Sequence, residues 1–246
     1  MEPIQLKSKH IVLTGGTAGI GKELIKQLYS KNSISVIARP SNRLDELGRE
    51  FDNIRVYEAD LAKPESVAEA ANKLVTRDEP IDVLINNAAV QYTPHFLDND
   101  FALETIEREI DTNLTSPAVL IYLTLPALLK SASPVIVNVN SGLGLVPKSS
   151  SAVYCATKGG LNILSQALAN QFENCPIQIS QVFLPLVDTK MTEGRGSGKI
   201  SATEAASQII YGIQKRQAEI NIGKVKLLRL IMRISPSLAR SIMKKG

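Results

Sequence analysis

A tyrosine and a lysine lie four residues apart in the stretch VYCATKGG, residues 153–160. Four residues make about one helical turn, so Tyr154 and Lys158 share one face if this stretch is a helix. A phenol is a weak acid, and a nearby positive charge stabilises its anion and lowers its pKa. The pair is therefore a candidate proton donor and acceptor, although a surface pair or a helix-cap contact has the same spacing.

Short apolar strands and longer helical stretches alternate along the chain and would position this pair. Most strands are apolar throughout, as expected for strands that are covered on both faces. This alternation predicts an α/β fold, a doubly wound parallel sheet of the Rossmann type with about seven strands and helices on both faces. Without an evident linker, residues 1–246 are predicted to form a single domain. The predicted strands span residues 10–14, 34–38, 54–57, 81–85, 134–139, 177–183 and 219–222, and the clearest helices span residues 21–30, 64–75 and 152–172.

A glycine-rich turn, TGGTAGIG, follows the first predicted strand and leads into the first helix. Ligands of such sheets bind at the carboxyl ends of the strands, where this turn lies. Gly15, Gly19 and Gly21 allow a tight turn, so a pyrophosphate can rest against the helix N terminus. A plain tight turn is the alternative, but the position between strand and helix favours a dinucleotide site.

Two arginines follow the second strand, where an NAD-selective site usually has a carboxylate. Arg39 and Arg43 lie in the stretch VIARPSNRL. A carboxylate would repel a 2′-phosphate, whereas guanidinium groups bind it through charge-assisted hydrogen bonds. The sequence therefore favours NADP(H), with NAD(H) as the other cofactor, unless both arginines are simply solvated loop residues.

The composition is that of an ordinary globular chain, with 44% hydrophobic and 21% charged residues. Cys155 and Cys175 do not make a disulfide framework, which fits a reducing cytoplasm. His10 and His95 are too few and too scattered to indicate a metal site, and no metal is expected. The longest apolar stretch, residues 114–129, is short for a membrane span and predicts a buried helix instead.

The C-terminal tail, residues 224–246, contains seven Lys or Arg and no acidic residue. The rest of the chain has 21 basic and 24 acidic residues, so the net charge of +4 arises in the tail and does not indicate nucleic acid binding. We favour a tail helix packed on the protein or on a partner subunit, with a solvated basic side. Peripheral membrane contact is the alternative. At helical spacing the apolar face comprises Leu227, Leu228, Ile231 and Ile234, the basic face comprises Arg229 and Arg233, and Pro236 should end the helix.

In their order along the chain, these motifs resemble those of the short-chain dehydrogenase/reductase family, nearly from end to end. Ala89 departs from the family pattern, because NNAA replaces NNAG after the fourth strand, and Leu186 stands where a glycine is common. The residues around the serine and tyrosine motifs are most similar to those of a bacterial branch of DltE-like oxidoreductases. The positions that match cofactor-binding residues of the family are Gly15, Thr17, Gly19, Ile20, Gly21, Asp60, Leu61, Asn87, Ala88, Tyr154, Lys158, Pro185, Val187 and Thr189, and those that match its catalytic residues are Asn113, Ser141, Tyr154 and Lys158.

The resemblance implies a role for each catalytic residue. Tyr154 would exchange a proton with a substrate oxygen, and Lys158 would lower the tyrosine pKa from about 10 to roughly 7, which needs about 4 kcal/mol. Lys158 would also bind the nicotinamide ribose. Ser141 would donate a hydrogen bond to the substrate oxygen, and Asn113 would hold a water that links Lys158 to solvent. Taken singly, Ser141 fits a turn serine, and Asn113 fits a residue that hydrogen-bonds a helix end.

Substrate identity is expected to reside in three segments after the fourth, fifth and sixth strands. They span residues 90–97, 143–150 and 190–199, and the last is glycine-rich and short, as in a mobile lid. Apolar walls are predicted from Tyr92, Leu143, Leu145 and Val146, with Gln91 and His95 as polar options.

The sequence therefore predicts a cytoplasmic NAD(P)-dependent oxidoreductase that interconverts a carbonyl and a secondary alcohol on a small molecule. The family implies a homodimer or homotetramer built partly on the helices that contain Asn113 and Tyr154. Epimerase or dehydratase chemistry is one alternative, which the short C-terminal portion opposes. An NADPH-binding regulator or scaffold without turnover is another, which the intact Ser141, Tyr154 and Lys158 oppose.

Overall fold

A computed structural model describes residues 3–99 and 101–244 of the chain. Seven parallel strands form its central sheet, in the order third, second, first, fourth, fifth, sixth and ninth. The order reverses between the first and fourth strands, which is where doubly wound sheets bind their ligands. The strands are β1 His10–Thr14, β2 Ser33–Ala38, β3 Ile54–Glu58, β4 Val83–Asn86, β5 Val135–Ser141, β6 Gln178–Leu184, β7 Val187–Asp188, β8 Ile200–Ser201 and β9 Glu219–Asn221.

Helices cover both faces of this sheet, because successive strand residues point to opposite sides. On β1, Ile11 and Leu13 enter one core with residues of the first and seventh helices, whereas Val12 enters a second core with residues of the third and fifth. The helices are α1 Gly19–Leu28, α2 Asn42–Glu50, α3 Pro64–Val75, α4 Leu103–Ile110, α5 Ser116–Leu128, α6 Ala152–Gln171, α7 Ala202–Gln214, α8 Lys224–Ile234 and α9 Pro236–Lys244, with a π-helical turn at Asp111–Thr115 and 3-10 turns at Tyr29–Lys31, Gly142–Gly144 and Lys190–Thr192.

All seven predicted strands are confirmed, with ends that differ by at most two residues. The small sheet of β7 and β8 was not predicted, because strands of two residues show no periodicity.

The prediction of a buried helix over residues 114–129 is only half right. One face of α5 is buried, but Tyr122 on its other face is 73% exposed. None of the helices in the described part of the chain is long and apolar enough to cross a membrane.

The tail forms two helices that pack on the rest of the protein. As predicted, the first helix stops before Pro236, which begins α9 because proline fits the first helical turn. The predicted faces are partly wrong, because Leu227 and Ile234 are exposed. Arg229 instead lies on the inner side, where it pairs with Glu219 at 2.9 Å and stacks on the ring of Phe183 at 4.5 Å. Stacking on an aromatic ring allows a guanidinium to occupy an inner position that the sequence pattern assigned to solvent.

Candidate active site

The glycine turn between β1 and α1 is fastened to the end of β4 by Asn87. Its Nδ2 donates hydrogen bonds to the carbonyl oxygens of Thr14 and Gly15, both at 3.0 Å. Gly15 has a φ of 74°, and a Cβ atom at Gly21 would lie 2.0 Å from the Gly15 carbonyl oxygen, so both positions require glycine. No side chain caps α1 at Ala18, which leaves backbone N–H groups available to an anion.

The loops after β4 and β6 adjoin this turn. The Thr14 hydroxyl accepts hydrogen bonds from the backbone N–H groups of Asn87 at 3.0 Å and Ala88 at 3.1 Å. A Cβ atom at Gly19 would lie 3.1 Å from the Thr189 side chain, so the segment after β6 contacts the start of α1. The other predicted contacts on this edge are Thr17 and Ile20 in the glycine turn, Pro185 after β6 and Val187 in β7.

The two predicted phosphate-binding arginines lie beside the glycine turn. The Gly15 N–H donates a hydrogen bond to the Ile37 carbonyl oxygen at 3.0 Å, two residues before Arg39. Arg39 and Arg43 are both exposed, and neither has an acidic partner among residues 3–99 and 101–244. This edge of the sheet therefore offers two unengaged guanidinium groups to a negatively charged ligand.

Asp60 and Leu61 lie at the same edge, just after β3. The Asp60 carboxylate accepts a hydrogen bond from the Ala62 N–H at 3.2 Å and lies 3.6 Å from Arg108. Leu61 is buried, and its carbonyl oxygen accepts a 2.6 Å hydrogen bond from Ser116. Both residues thus link the loop after β3 to α4 and α5.

Ser141, Tyr154 and Lys158 meet at the carboxyl end of β5. Ser141 ends this strand, and the other two lie one turn apart on α6, as the spacing predicted. The Ser141 hydroxyl lies beside the Tyr154 phenol, close enough to lower the phenol pKa through a hydrogen bond. The Lys158 ammonium donates to the Val139 carbonyl oxygen at 2.8 Å and lies 5.8 Å from the centre of the Tyr154 ring. A phenol, a hydroxyl and an ammonium are thus gathered within a few ångströms.

Burial controls the proton equilibria of this group. Loss of solvation raises the pKa of Tyr154, and the hydrogen bond with Ser141 offsets only part of that increase. Burial also lowers the pKa of Lys158 from 10.5 to about 8. The expected tyrosine pKa of roughly 7 is therefore wrong for this geometry, because loss of solvation outweighs the stabilisation that the Lys158 ammonium gives the phenolate. The phenol is held neutral and so carries a proton to donate.

Asn113 lies fully buried in the π-helical turn between α4 and α5. Its Oδ1 accepts a hydrogen bond from the Val90 N–H, and its Nδ2 donates to the Val90 carbonyl oxygen, both at 2.9 Å. Nδ2 also contacts the Thr157 hydroxyl at 3.2 Å. The side chain therefore ties the segment after β4 to α6, and its part in a water relay stays a prediction.

Three charged residues near this site were not singled out from the sequence. Glu109 is only 2% exposed and accepts a 2.7 Å hydrogen bond from the Tyr92 N–H, and burial raises its pKa. Burial and the charge of Arg195 lower the pKa of Lys148. The charge of Arg195 also contributes a lowering of the Tyr154 pKa, which burial outweighs. Glu109 was detectable one turn before Asn113 on the same helical face, but the two cations lie in loops without such a signal.

The predicted substrate walls are partly corrected. Val146 is buried and packs with Leu145 against Leu228 of α8, so neither forms a free wall. His95 is exposed at the surface, whereas Gln91 donates a hydrogen bond to Ser151 at 3.2 Å. The tail helix occupies one side of the predicted substrate region, which a pattern read along the sequence could not reveal.

Known proteins resemble this chain along most of its length. Residues 9–199 match the family described as short chain dehydrogenase. The chain is 31% identical over 234 residues to the uncharacterized oxidoreductase DltE of Bacillus subtilis (strain 168), covering 92% of each protein. A short chain dehydrogenase from Burkholderia cenocepacia J2315, solved with NADP, superposes with a TM-score of 0.87 at 21% identity, covering 98% of this chain and 99% of that one. One from Burkholderia phymatum, solved with NAD, gives a TM-score of 0.82 at 17% identity, covering 94% and 96%.

Proposed function

The chain belongs to the short-chain dehydrogenase/reductase family, whose members are NAD(P)-dependent oxidoreductases, and from this premise we propose that it prefers NADP(H) and reduces a carbonyl to a secondary alcohol, or the reverse. We assign Tyr154 as the general acid and base. One observation carries the proposal: the Ser141 hydroxyl and the Tyr154 phenol are neighbours at the end of β5, and Lys158 lies one helical turn from Tyr154.

The residues at the strand ends fit a dinucleotide. The glycine turn presents the uncapped N terminus of α1, which suits a pyrophosphate. The exposed guanidinium groups of Arg39 and Arg43 suit a 2′-phosphate, and Lys158 retains N–H donors for a ribose beyond the one given to Val139. When bound, the nicotinamide supplies or accepts the hydride.

The protein's own residues would handle the proton. A substrate carbonyl oxygen that gains negative charge takes a proton from the neutral Tyr154 phenol, a contribution of about 10²- to 10⁴-fold to the rate. The Ser141 hydroxyl hydrogen-bonds the same oxygen and orients it. Lys158, with a pKa of about 8, is mostly protonated at neutral pH and stabilises the phenolate left on Tyr154.

Turnover tests the proposal directly. The protein is assayed with NADPH on a panel of ketones and aldehydes and with NADP⁺ on the matching alcohols, beside the Tyr154→Phe variant. We expect turnover that this variant loses while it still binds NADPH. Tight NADPH binding with no turnover on any compound would favour the regulator or scaffold instead.

Cofactor preference is tested separately through Arg39. The Arg39→Asp variant places a carboxylate where a 2′-phosphate would bind, and we expect the ratio of NADPH to NADH affinity to fall about 10- to 100-fold. Arg49→Asp is the matched control, because Arg49 is an exposed arginine near the other end of α2. An unchanged ratio in the Arg39 variant would show that this arginine does not bind the phosphate.

We also propose a cytoplasmic location and a homodimer or homotetramer. Both cysteines are free, as in a reducing compartment. Large apolar side chains are exposed on the helices around the site, as expected of an interface between copies. Light scattering after size-exclusion chromatography tests the assembly, and we expect Tyr122→Glu to lower the mass. The exposed side chains are Leu103, Ile110, Tyr122, Leu129 and Ile163.

A further inference from the structure

The two tail helices present an apolar surface that the fold does not use. Five large apolar side chains on α8 and α9 are each between 49% and 76% exposed. They recur at helical spacing, three on α8 and two on α9, so each helix carries an apolar stripe on its outer side. We call this surface the tail face. Its apolar members are Leu227, Leu230, Ile234, Leu238 and Ile242.

The inner sides of the same helices hold them firmly on the protein. Leu228 and Ala239 are buried in a small core with Val146, which follows the Ser141 turn. The Ser149 hydroxyl donates a 2.9 Å hydrogen bond to the Lys244 carbonyl oxygen and so fastens the end of α9. Because α8 and α9 pack on one core, their outer stripes lie on the same part of the surface. The tail face is therefore an ordered surface, and its apolar side chains are not needed for this core.

Positive charge surrounds the apolar stripes. Lys226, Arg233, Arg240 and Lys244 are exposed, and none of them pairs with an acidic residue in the described part of the chain. Arg229, which turns inward to Glu219, is the tail cation with an ion pair there. No acidic residue occurs after position 223. The tail face thus combines exposed aliphatic side chains with cations only.

We propose that the tail face binds the surface of anionic lipid bilayers. Aliphatic side chains of an interfacial helix enter the boundary between head groups and acyl chains, and the flanking cations attract anionic head groups. A second copy fits less well, because a two-fold contact would bring cations of both copies together without any acidic partner. Nucleic acid would pair with the cations but would leave the leucines and isoleucines without an apolar partner.

Membrane binding would also orient the active site. A Cβ atom at Gly142, next to Ser141, would lie 3.3 Å from the Val225 side chain on the inner side of α8. The tail helices thus separate the turn after Ser141 from the tail face by little more than one helix. A protein bound through this face would hold that side of the site near the bilayer.

Vesicle sedimentation of the full-length protein tests the proposal. Vesicles of pure phosphatidylcholine are compared with vesicles that also contain phosphatidylglycerol, at low and at high salt. We expect binding to the anionic vesicles only, weakened by salt. The variant Lys226→Glu, Arg233→Glu, Arg240→Glu should lower partitioning by about 100-fold, since each of the three surface cations contributes about fivefold. Leu230→Ser with Ile234→Ser should also lower it.

Matched variants keep the test specific. Leu97→Ser removes an apolar side chain that is 96% exposed and lies outside both the tail face and the proposed interface between copies, and we expect its partitioning to match the parent protein. Circular dichroism and NADPH binding establish that every variant is folded. Equal binding to both kinds of vesicle, no binding, or tail variants that bind like the parent would each overturn the proposal. A fall in oligomeric mass in the tail variants, without any vesicle binding, would assign the face to a second copy.

Discussion

Two polar clusters lie at opposite ends of the strands, and one favours the charged form of its central group whereas the other favours neutral forms. At the amino end of β4, the Asp82 carboxylate accepts hydrogen bonds from the Lys9 ammonium at 3.1 Å, the His10 N–H at 3.0 Å and the Ser131 hydroxyl at 2.7 Å. Burial raises the pKa of Asp82, but these donors outweigh it and leave the pKa below its ordinary value. The charged form is the stable one here.

At the carboxyl end of β5, buried groups are displaced toward their neutral forms. Lys158 donates to one backbone carbonyl and has no carboxylate partner among the described residues, so burial lowers its pKa to about 8. Burial likewise raises the pKa of Tyr154. The comparison teaches that the Asp82 carboxylate has enough hydrogen-bond donors to remain charged. The cluster at the end of β5 retains hydrogen-bonding groups without protein partners, which a ligand can use.

The largest effect expected is the loss of activity in Tyr154→Phe. Removing the proton donor should lower kcat by about 10²- to 10⁴-fold, while the affinity for NADPH changes little. Steady-state kinetics and cofactor titration measure the two quantities. Tyr122→Phe, on an exposed helix face, is the control. If Tyr154→Phe kept more than a tenth of the activity, the proton would come from another group.

The amino-end cluster should respond in stability and not in catalysis. Asp82→Ala leaves three donors without their acceptor, and we expect the free energy of unfolding to fall by about 2–4 kcal/mol with kcat unchanged. Urea denaturation and kinetics measure the two effects. As the control, Glu50→Ala removes an exposed ion pair with Lys22 and should cost less than about 1 kcal/mol. A large loss of kcat in the Asp82 variant would remove the distinction between the two ends.

At the carboxyl end of β5, removing the buried charge should instead stabilise the protein. Lys158→Met replaces a buried ammonium with an apolar side chain of similar length, and a pKa displaced from 10.5 to about 8 corresponds to a burial cost of about 3 kcal/mol. We expect the free energy of unfolding at pH 7 to rise by up to that amount while activity is lost. A variant less stable than the parent at pH 7 would show that Lys158 is satisfied in the fold.

The smallest effect expected is the pH dependence of the stability difference between Lys158→Met and the parent protein. The folded-state pKa of Lys158 lies below its unfolded value of 10.5, so the unfolded chain binds more protons between about pH 8 and pH 10.5. The free energy of unfolding of the parent should therefore rise relative to Lys158→Met as the pH rises through 8. Denaturation at pH 7 and pH 9.5 measures this narrowing. A constant difference would mean that the lysine pKa is not displaced.

The sequence predicted the strands and the motif order well, because both depend on local chemistry. Continuous apolar runs mark strands that are covered on both faces. A glycine-rich turn between β1 and α1 is the local pattern that lets backbone N–H groups approach an anion closely. The two-residue strands β7 and β8 and the charges at Glu109, Lys148 and Arg195 were missed. Glu109 had a local signal, one turn before Asn113, whereas the surroundings of the short strands and of the two cations come from segments far apart in the chain, which no local pattern encodes.

From the sequence followed the sheet, because apolar runs mark strands, and the one-turn spacing of Tyr154 and Lys158, because helix geometry fixes it. Ser141 and the catalytic roles came from the resemblance to the family. The folded arrangement settled three further matters: the pKa directions of Tyr154 and Lys158, the inward position of Arg229, and the outward stripes of the tail face. The reason is that burial results from every element packed around a group. Spacing along one helix describes only that helix.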